Sequence, residues 1–234
     1  MESGSSFQAT LQNALAEPTI IHWHGLHTPL AMDGHPASTF SPVARYDYVI
    51  TVRNRGDIYR HLFHAHAHKL TAMQAYNGLA SFFFVEDENQ RSLSKALDLR
   101  LGETDVPLVI QDKQFDGAGR LHYKPNMQES MMGWLGDIIL ANLTPNSFLT
   151  VTPRFYHFRL LNSSNARIYR LTFVNDKTPL SLAVIGTDGG LLDQPQTVTE
   201  AHLAPGERLD VLFDAGRAQP GEDVFLKSVE FDPM

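Results

Sequence analysis

Two histidine clusters constrain this chain more than any other feature. The chain has eleven histidines, and eight of them fall between residues 22 and 68. Most of these eight lie in the two clusters, His22-Trp23-His24 and His64-Ala65-His66-Ala67-His68. Side chains alternate faces along a β-strand, so the two histidines of each His-x-His pair project from one side. Neutral imidazole is the commonest metal ligand. Two neighbouring strands of this kind would bring four ring nitrogens together, which predicts a metal site.

The absence of cysteine limits the metal chemistry. With no cysteine in 234 residues, the chain itself cannot form disulfides, zinc–thiolate sites, iron–sulfur clusters or a blue-copper centre. A net charge of −7 argues against nucleic acid as a partner, since a phosphate backbone requires a basic face. No apolar run approaches the ~20 residues that cross a bilayer, so we expect no membrane partner.

The pattern of residues predicts an all-β chain. Arg45–Arg53 alternates large apolar with polar residues, as half-buried strands do. Further strands are predicted at 7–11, 19–24, 82–85, 106–111, 138–140, 155–161, 168–174, 182–185 and 208–213. No helical period of useful length is visible, and the charged segment Asn89–Asp98 is interpreted as a connector. We therefore predict two β-sandwich domains, residues 1–98 with the histidine motifs and residues 99–234 without them.

Several segments resemble the multicopper oxidases, the family of laccases, bilirubin oxidases and spore-coat and copper-efflux oxidases. Pro18–His27 (PTIIHWHGLH) is similar to their first copper motif and Phe63–His68 (FHAHAH) to their second. The resemblance continues through Gly78–Val85, Val106–Asp112, Leu160–Ile168 and Gly186–Leu192. It therefore covers nearly the whole chain, and it implies two cupredoxin-like Greek-key β-sandwiches, the first incomplete and the second a copper-free middle domain.

The resemblance also implies a cofactor and a reaction. His22 would bind the type 2 copper of a trinuclear cluster, His24 and His64 would share one type 3 copper, and His66 would bind the other. Asp33 matches the acidic residue that assists proton delivery to reduced oxygen. The activity implied is that of a laccase-like oxidoreductase. It oxidises phenolic, aromatic amine or metal-ion donors and reduces dioxygen to water.

The chain departs from the family pattern in two ways. It has no His-Cys-His motif, so the type 1 copper and half of the cluster histidines would have to come from a further cupredoxin domain or another chain. The first domain also begins late by comparison with the family, and Met1–Ser6 shows no signal peptide. These features leave the compartment open and suggest a truncated N-terminus.

Other interpretations remain open. A non-catalytic copper-binding module, or a fragment lacking the type 1 domain, accounts for the missing cysteine. A zinc hydrolase is disfavoured because no His-Glu-x-x-His helix is present. Asp33 precedes Gly34, so a turn alone would explain it. His27 and His68 lie beyond the matching ligand positions, and His35 and His61 are expected to be supporting or surface residues.

Overall fold

The computed structural model describes residues 1–2, 4–52 and 60–230. The chain divides into two compact units, Met1–Arg91 and Ser92–Met234. The predicted strand end at Arg53 and the side chain of His61 lie outside the described residues. Strands predominate in both units, which confirms the all-β prediction. The assignment of residues 1–98 and 99–234 to separate cupredoxin-like domains stays a prediction.

The first unit contains two small antiparallel sheets. Their strands are β1 Ser6–Gln12, β2 Ile21–His24, β3 Arg45–Thr51, β4 Arg60–Ala65 and β5 Ala80–Phe84, and a short helix α1 spans Thr71–Tyr76. One sheet pairs β1 with β3, and the other has the strand order β2-β4-β5. In β3 the alternation of the sequence becomes alternation of burial, because Tyr48 and Ile50 are buried while Val49 between them is exposed. The predicted strand begins at the right residue but extends too far, because β3 ends at Thr51 and Val52 lies outside it.

The second unit is a sandwich of a seven-stranded and a four-stranded sheet. Its strands are β6 Asp105–Lys113, β7 Ile138–Ala141, β8 Thr144–Pro145, β9 Phe155–Asn162, β10 Tyr169–Asn175, β11 Thr178–Leu180, β12 Leu182–Thr187, β13 Gly190–Val198, β14 Ala201–Leu203, β15 Arg208–Asp214 and β16 Val224–Ser228. The larger sheet has the order β13-β12-β15-β9-β6-β7-β8, and in the smaller sheet β10 pairs with β11, β14 and β16. Buried residues of both sheets form one core, in which the rings of Phe173 and Phe213 stack at 4.3 Å.

The prediction that the chain has no helix of useful length is wrong. The connector contains α2, Glu88–Leu97, and a shorter helix α3 spans Met127–Met132. Helix α2 begins where the Asp87 carboxylate accepts a hydrogen bond from the Gln90 backbone N–H at 2.8 Å, and α3 begins with a capping box between Asn126 and Glu129. In α2 the apolar residues Leu93, Ala96 and Leu97 follow the three- and four-residue spacing of one helix face, a signal that the sequence analysis overlooked.

Candidate metal centre

The two histidine motifs lie on neighbouring strands of the first unit. Strands β2 and β4 are antiparallel, and their register places His22 directly opposite His64, with His24 opposite Leu62. Directly opposed residues project from the same face of a sheet. The alternation predicted from sequence therefore puts His22, His24 and His64 on one face, as expected.

His66 reaches the same region although it lies one residue beyond the end of β4. Its backbone N–H donates to the carbonyl of Ile20 at 2.9 Å, so the chain continues alongside β2 after the strand ends. The ring centroid of His66 lies 5.0 Å from that of His22 and 5.3 Å from that of His64. The structure thus brings all four predicted ligands together.

The spacing of the rings suits a metal ion. The centroids of His22 and His64 are 5.3 Å apart, and those of His24 and His64 are 5.6 Å apart. One ring nitrogen from each of His22, His24 and His64 can be chosen so that all three lie within 4.8 Å of one another. Imidazole is a favoured ligand of copper, iron, nickel and zinc. The donor set therefore fits a copper site.

Backbone carbonyls hold one nitrogen of three of these rings. The Nδ1 atoms of His22, His64 and His66 lie 2.6, 2.9 and 3.3 Å from the carbonyl oxygens of Asp33, Ala65 and Gly34. A carbonyl oxygen only accepts hydrogen bonds, so in the neutral ring the proton lies on Nδ1. The Nε2 lone pair is then the one that each ring offers to a metal.

Burial favours the neutral form of two of the candidate ligands. Desolvation lowers the pKa of the His64 imidazole below its usual value, and the nearby His22 and His66 lower it further, against the hydrogen bond to Ala65. Desolvation likewise lowers the pKa of His66, against its contact with Gly34. Only the neutral ring has a free lone pair, so both shifts assist metal binding.

Asp33 and Gly34 form a turn directly beside β2. The Asp33 carboxylate accepts a hydrogen bond from the Thr28 hydroxyl at 2.9 Å, and the same oxygen lies 3.6 Å from His22 Nδ1. Gly34 has φ +75°, and a Cβ there would lie 2.0 Å from the carbonyl oxygen of Ile21. Asp33 is therefore both a turn residue and a neighbour of a candidate ligand, so the two interpretations of its role are compatible.

Solvent reaches Asp33 from an open groove of about 760 Å³. Polar and apolar side chains line it, among them Leu26, His27, Thr28, Leu30, Asp33 and Val49. The groove leaves the carboxylate accessible to bulk water.

The opposite face of the β2-β4-β5 sheet carries an aromatic cluster. Trp23 lies between the two histidines of β2 and therefore points away from them. Its ring centroid lies 5.0 Å from Phe7, 5.3 Å from Tyr48 and 5.5 Å from Phe83, in each case nearly edge to face. Trp23 itself is only 8% exposed. Apolar packing behind the sheet therefore supports the histidine face.

The remaining histidines have other surroundings. His27 and His68 are exposed, and the His35 ring accepts a hydrogen bond from the Ala37 backbone N–H. In the second unit His157 is fully buried, with its two ring nitrogens 3.4 Å from Asp105 and 3.1 Å from Asp210. It belongs to a buried cluster of charged side chains that its neighbours in the sequence did not indicate.

Two residues that support the histidines escaped the sequence analysis. Thr28 and Gly34 contact the site through a side-chain hydrogen bond and a backbone carbonyl. Every residue has a backbone carbonyl, so the residue type does not indicate which carbonyl contacts a histidine ring. The Asp-Gly pair was the one available signal, and it indicated only a turn.

Comparison with known proteins places this arrangement in context. The family model described as multicopper oxidase matches residues 1–90. The chain is 37% identical to the cell division protein FtsP of Photorhabdus laumondii, in a match that covers 88% of this chain and 41% of FtsP. It is 36% identical to a laccase of Bacillus stratosphericus, in a match that covers 90% of this chain and 43% of the laccase. The crystal structure of the McoA multicopper oxidase of Aquifex aeolicus matches with a TM-score of 0.92 and 42% identity, over 97% of this chain and 49% of that one.

The family model matches within the first unit, whereas the similarities to FtsP, the laccase and McoA extend over both units. The chain therefore spans about half the length of the relatives it matches. The structural neighbours confirm the cupredoxin-like β-sandwich prediction. Within the described residues, no helix is long and apolar enough to span a membrane. On the histidine motifs, the fold and the relatives together, the chain belongs to the multicopper oxidase family.

Proposed function

We propose that this chain supplies half of a trinuclear copper site in a laccase-type oxidase. His22 would hold the type 2 copper, His24 and His64 would share one type 3 copper, and His66 would hold the other. When bound, the copper cluster supplies the reduction of dioxygen to water with electrons taken from a phenolic, aromatic amine or metal-ion donor. The observation that carries the proposal is the convergence of four imidazoles on one face, with His22 opposite His64.

The other half of the site has to come from elsewhere. The chain contains no cysteine, so it cannot provide the thiolate ligand of a type 1 copper. The four convergent histidines leave part of the coordination of three ions unfilled. A further cupredoxin domain, or another chain, would complete the cluster and provide the entry point for electrons.

Asp33 is the residue of this chain that would handle protons. Its carboxylate lies 3.6 Å from His22 Nδ1 and borders the open groove. It can therefore exchange protons with solvent on one side and reach the histidine site on the other. In the completed oxidase, Asp33→Asn should lower the rate of oxygen consumption while copper content is retained. Equal loss of copper would assign Asp33 a structural role.

Copper titration of the chain, followed by calorimetry and electron paramagnetic resonance, tests the site. His64→Ala should reduce copper uptake and leave the circular dichroism spectrum unchanged. His68→Ala is a matched control, because His68 belongs to the same histidine run but is exposed. Copper uptake that is unaffected by His64→Ala, or reduced equally by both substitutions, would contradict the proposed ligand set. The loaded chain should also lack the blue colour that a cysteine–copper bond produces.

A non-catalytic copper-binding module is the second candidate. The missing cysteine favours it for the chain alone. The nearly equal identity to a laccase and to a cell division protein, 36% and 37%, shows that overall similarity does not select the role. Donor oxidation that appears only when a complementing type 1 domain is added supports the oxidase, and its absence in a fully copper-loaded complex supports the binding module.

A further inference from the structure

The loop between Thr28 and Gly34 contacts two of the four convergent histidines through consecutive backbone carbonyls. The carbonyl of Asp33 lies 2.6 Å from His22 Nδ1, and that of Gly34 lies 3.3 Å from His66 Nδ1. His22 is on β2 and His66 follows β4, so one turn reaches ligands from two different strands. Each contact fixes which nitrogen of the ring carries the proton.

Steric fit holds this turn against β2. Gly34 has φ +75°, and a Cβ at that position would lie 2.0 Å from Ile21 O and 2.7 Å from His22 Cα. No other residue type can occupy the position without moving β2 or the turn. Close backbone packing against β2 therefore helps to place the carbonyl of Gly34.

A single side-chain hydrogen bond closes the loop. The Thr28 hydroxyl donates to Asp33 Oδ1 at 2.9 Å, across five residues. The same carboxylate oxygen lies 3.6 Å from His22 Nδ1. Thr28 therefore restrains a carboxylate that would otherwise be free to rotate and replace the backbone carbonyl as the acceptor for the His22 ring.

We infer that Thr28 and Gly34 are positioning residues that set the tautomer and orientation of His22 and His66. Thr28 acts through Asp33, and Gly34 acts through its own carbonyl, so that both rings offer Nε2 to the metal. The inference rests on the proposed function for its purpose, but the tautomers themselves can be observed without metal. Outer partners of histidine ligands commonly affect metal affinity by roughly 10- to 100-fold.

Thr28→Val tests the inference, because it removes the hydroxyl and keeps the shape of the side chain. Two-bond ¹H–¹⁵N spectra of the metal-free chain should show His22 and His66 with the proton on Nδ1. In Thr28→Val the His22 signals should shift, while His64, held by Ala65, should not. Copper affinity should fall by about tenfold, and Thr28→Ser should restore both signals and affinity.

Thr10→Val is the matched control. Thr10 donates to Asp47 at 2.6 Å, a similar threonine–aspartate bond on the β1-β3 sheet, and its loss should change neither measurement. Thr28→Val that behaves like Thr10→Val in both spectra and affinity would overturn the inference. A wild-type His22 with its proton on Nε2 would do the same. Expected tautomers in a chain that binds no copper would contradict the proposed function and leave the positioning inference standing.

Discussion

Replacing Trp23 by alanine tests whether the aromatic cluster supports the histidine face. Truncation of a buried tryptophan costs about 3–5 kcal/mol of unfolding free energy. Each edge-to-face aromatic pair adds about 0.5–1.5 kcal/mol beyond burial, and Trp23 makes three such contacts, with Phe7, Tyr48 and Phe83. We therefore expect Trp23→Ala to lie at the upper end, about 4–5 kcal/mol.

Urea unfolding followed by circular dichroism measures this loss, and hydrogen exchange of the β2 and β4 amides assigns it to the sheet. Phe148→Ala is the matched control, because this aromatic side chain is 93% exposed and its removal should change stability by less than about 0.5 kcal/mol. Trp23→Phe should recover more than half of the loss. A cost below about 2 kcal/mol for Trp23→Ala would refute the reasoning, as would unchanged copper affinity in a destabilised sheet.

Three further predictions concern the buried charges and the turn. The side chains of Arg159 and Asp105 form an ion pair and are each 5% exposed, so Arg159→Met leaves the Asp105 carboxylate buried without this partner. The substitution should lower the free energy of unfolding by about 3–5 kcal/mol. Arg159→Met combined with Asp105→Asn should cost much less than the two single changes together. Burial lowers the pKa of Lys113 from 10.5 to about 8. Between these two pH values the unfolded chain binds more protons than the folded chain, so the free energy of unfolding should rise with pH across that range. Lys113→Met should flatten this dependence by up to about 1.4 kcal/mol per pH unit in urea titrations. Gly34→Ala should be more destabilising than Gly78→Ala, by about 1–3 kcal/mol in thermal or urea unfolding, because both have positive φ but a Cβ meets neighbouring atoms only at Gly34.

Strands with a strict alternation of burial were predictable from the sequence. Strand β3 is the clearest case, since its alternating residues face a core on one side and solvent on the other. Strand β13 was missed because it is polar, contains Pro195 and lies at the edge of its sheet, where few residues need to be buried. Whether a strand lies at the edge of its sheet depends on the tertiary fold, and the local pattern of residues does not reveal it.

The histidines of the site were predictable, but their support was not. The His-x-His spacing in two segments indicated convergence of His22, His24, His64 and His66, and only the register of β2 and β4 decided which residues lie opposite. The carbonyl contacts to His22 and His66 depend on backbone placement. The assignment of individual histidines to type 2 and type 3 copper stays a prediction.

The aromatic cluster behind the histidine face has a consequence for the order of assembly. Metal sites that lack any other source of stability fold only when the ion arrives, and chelators unfold them. Here the strands bearing the ligands are held by Trp23 and its neighbours, and carbonyls orient the rings in advance. Folding of this unit therefore does not depend on a bound ion, so the copper proposed here would enter a site that is already folded. A chelator that removes the proposed copper is then expected to leave the fold intact.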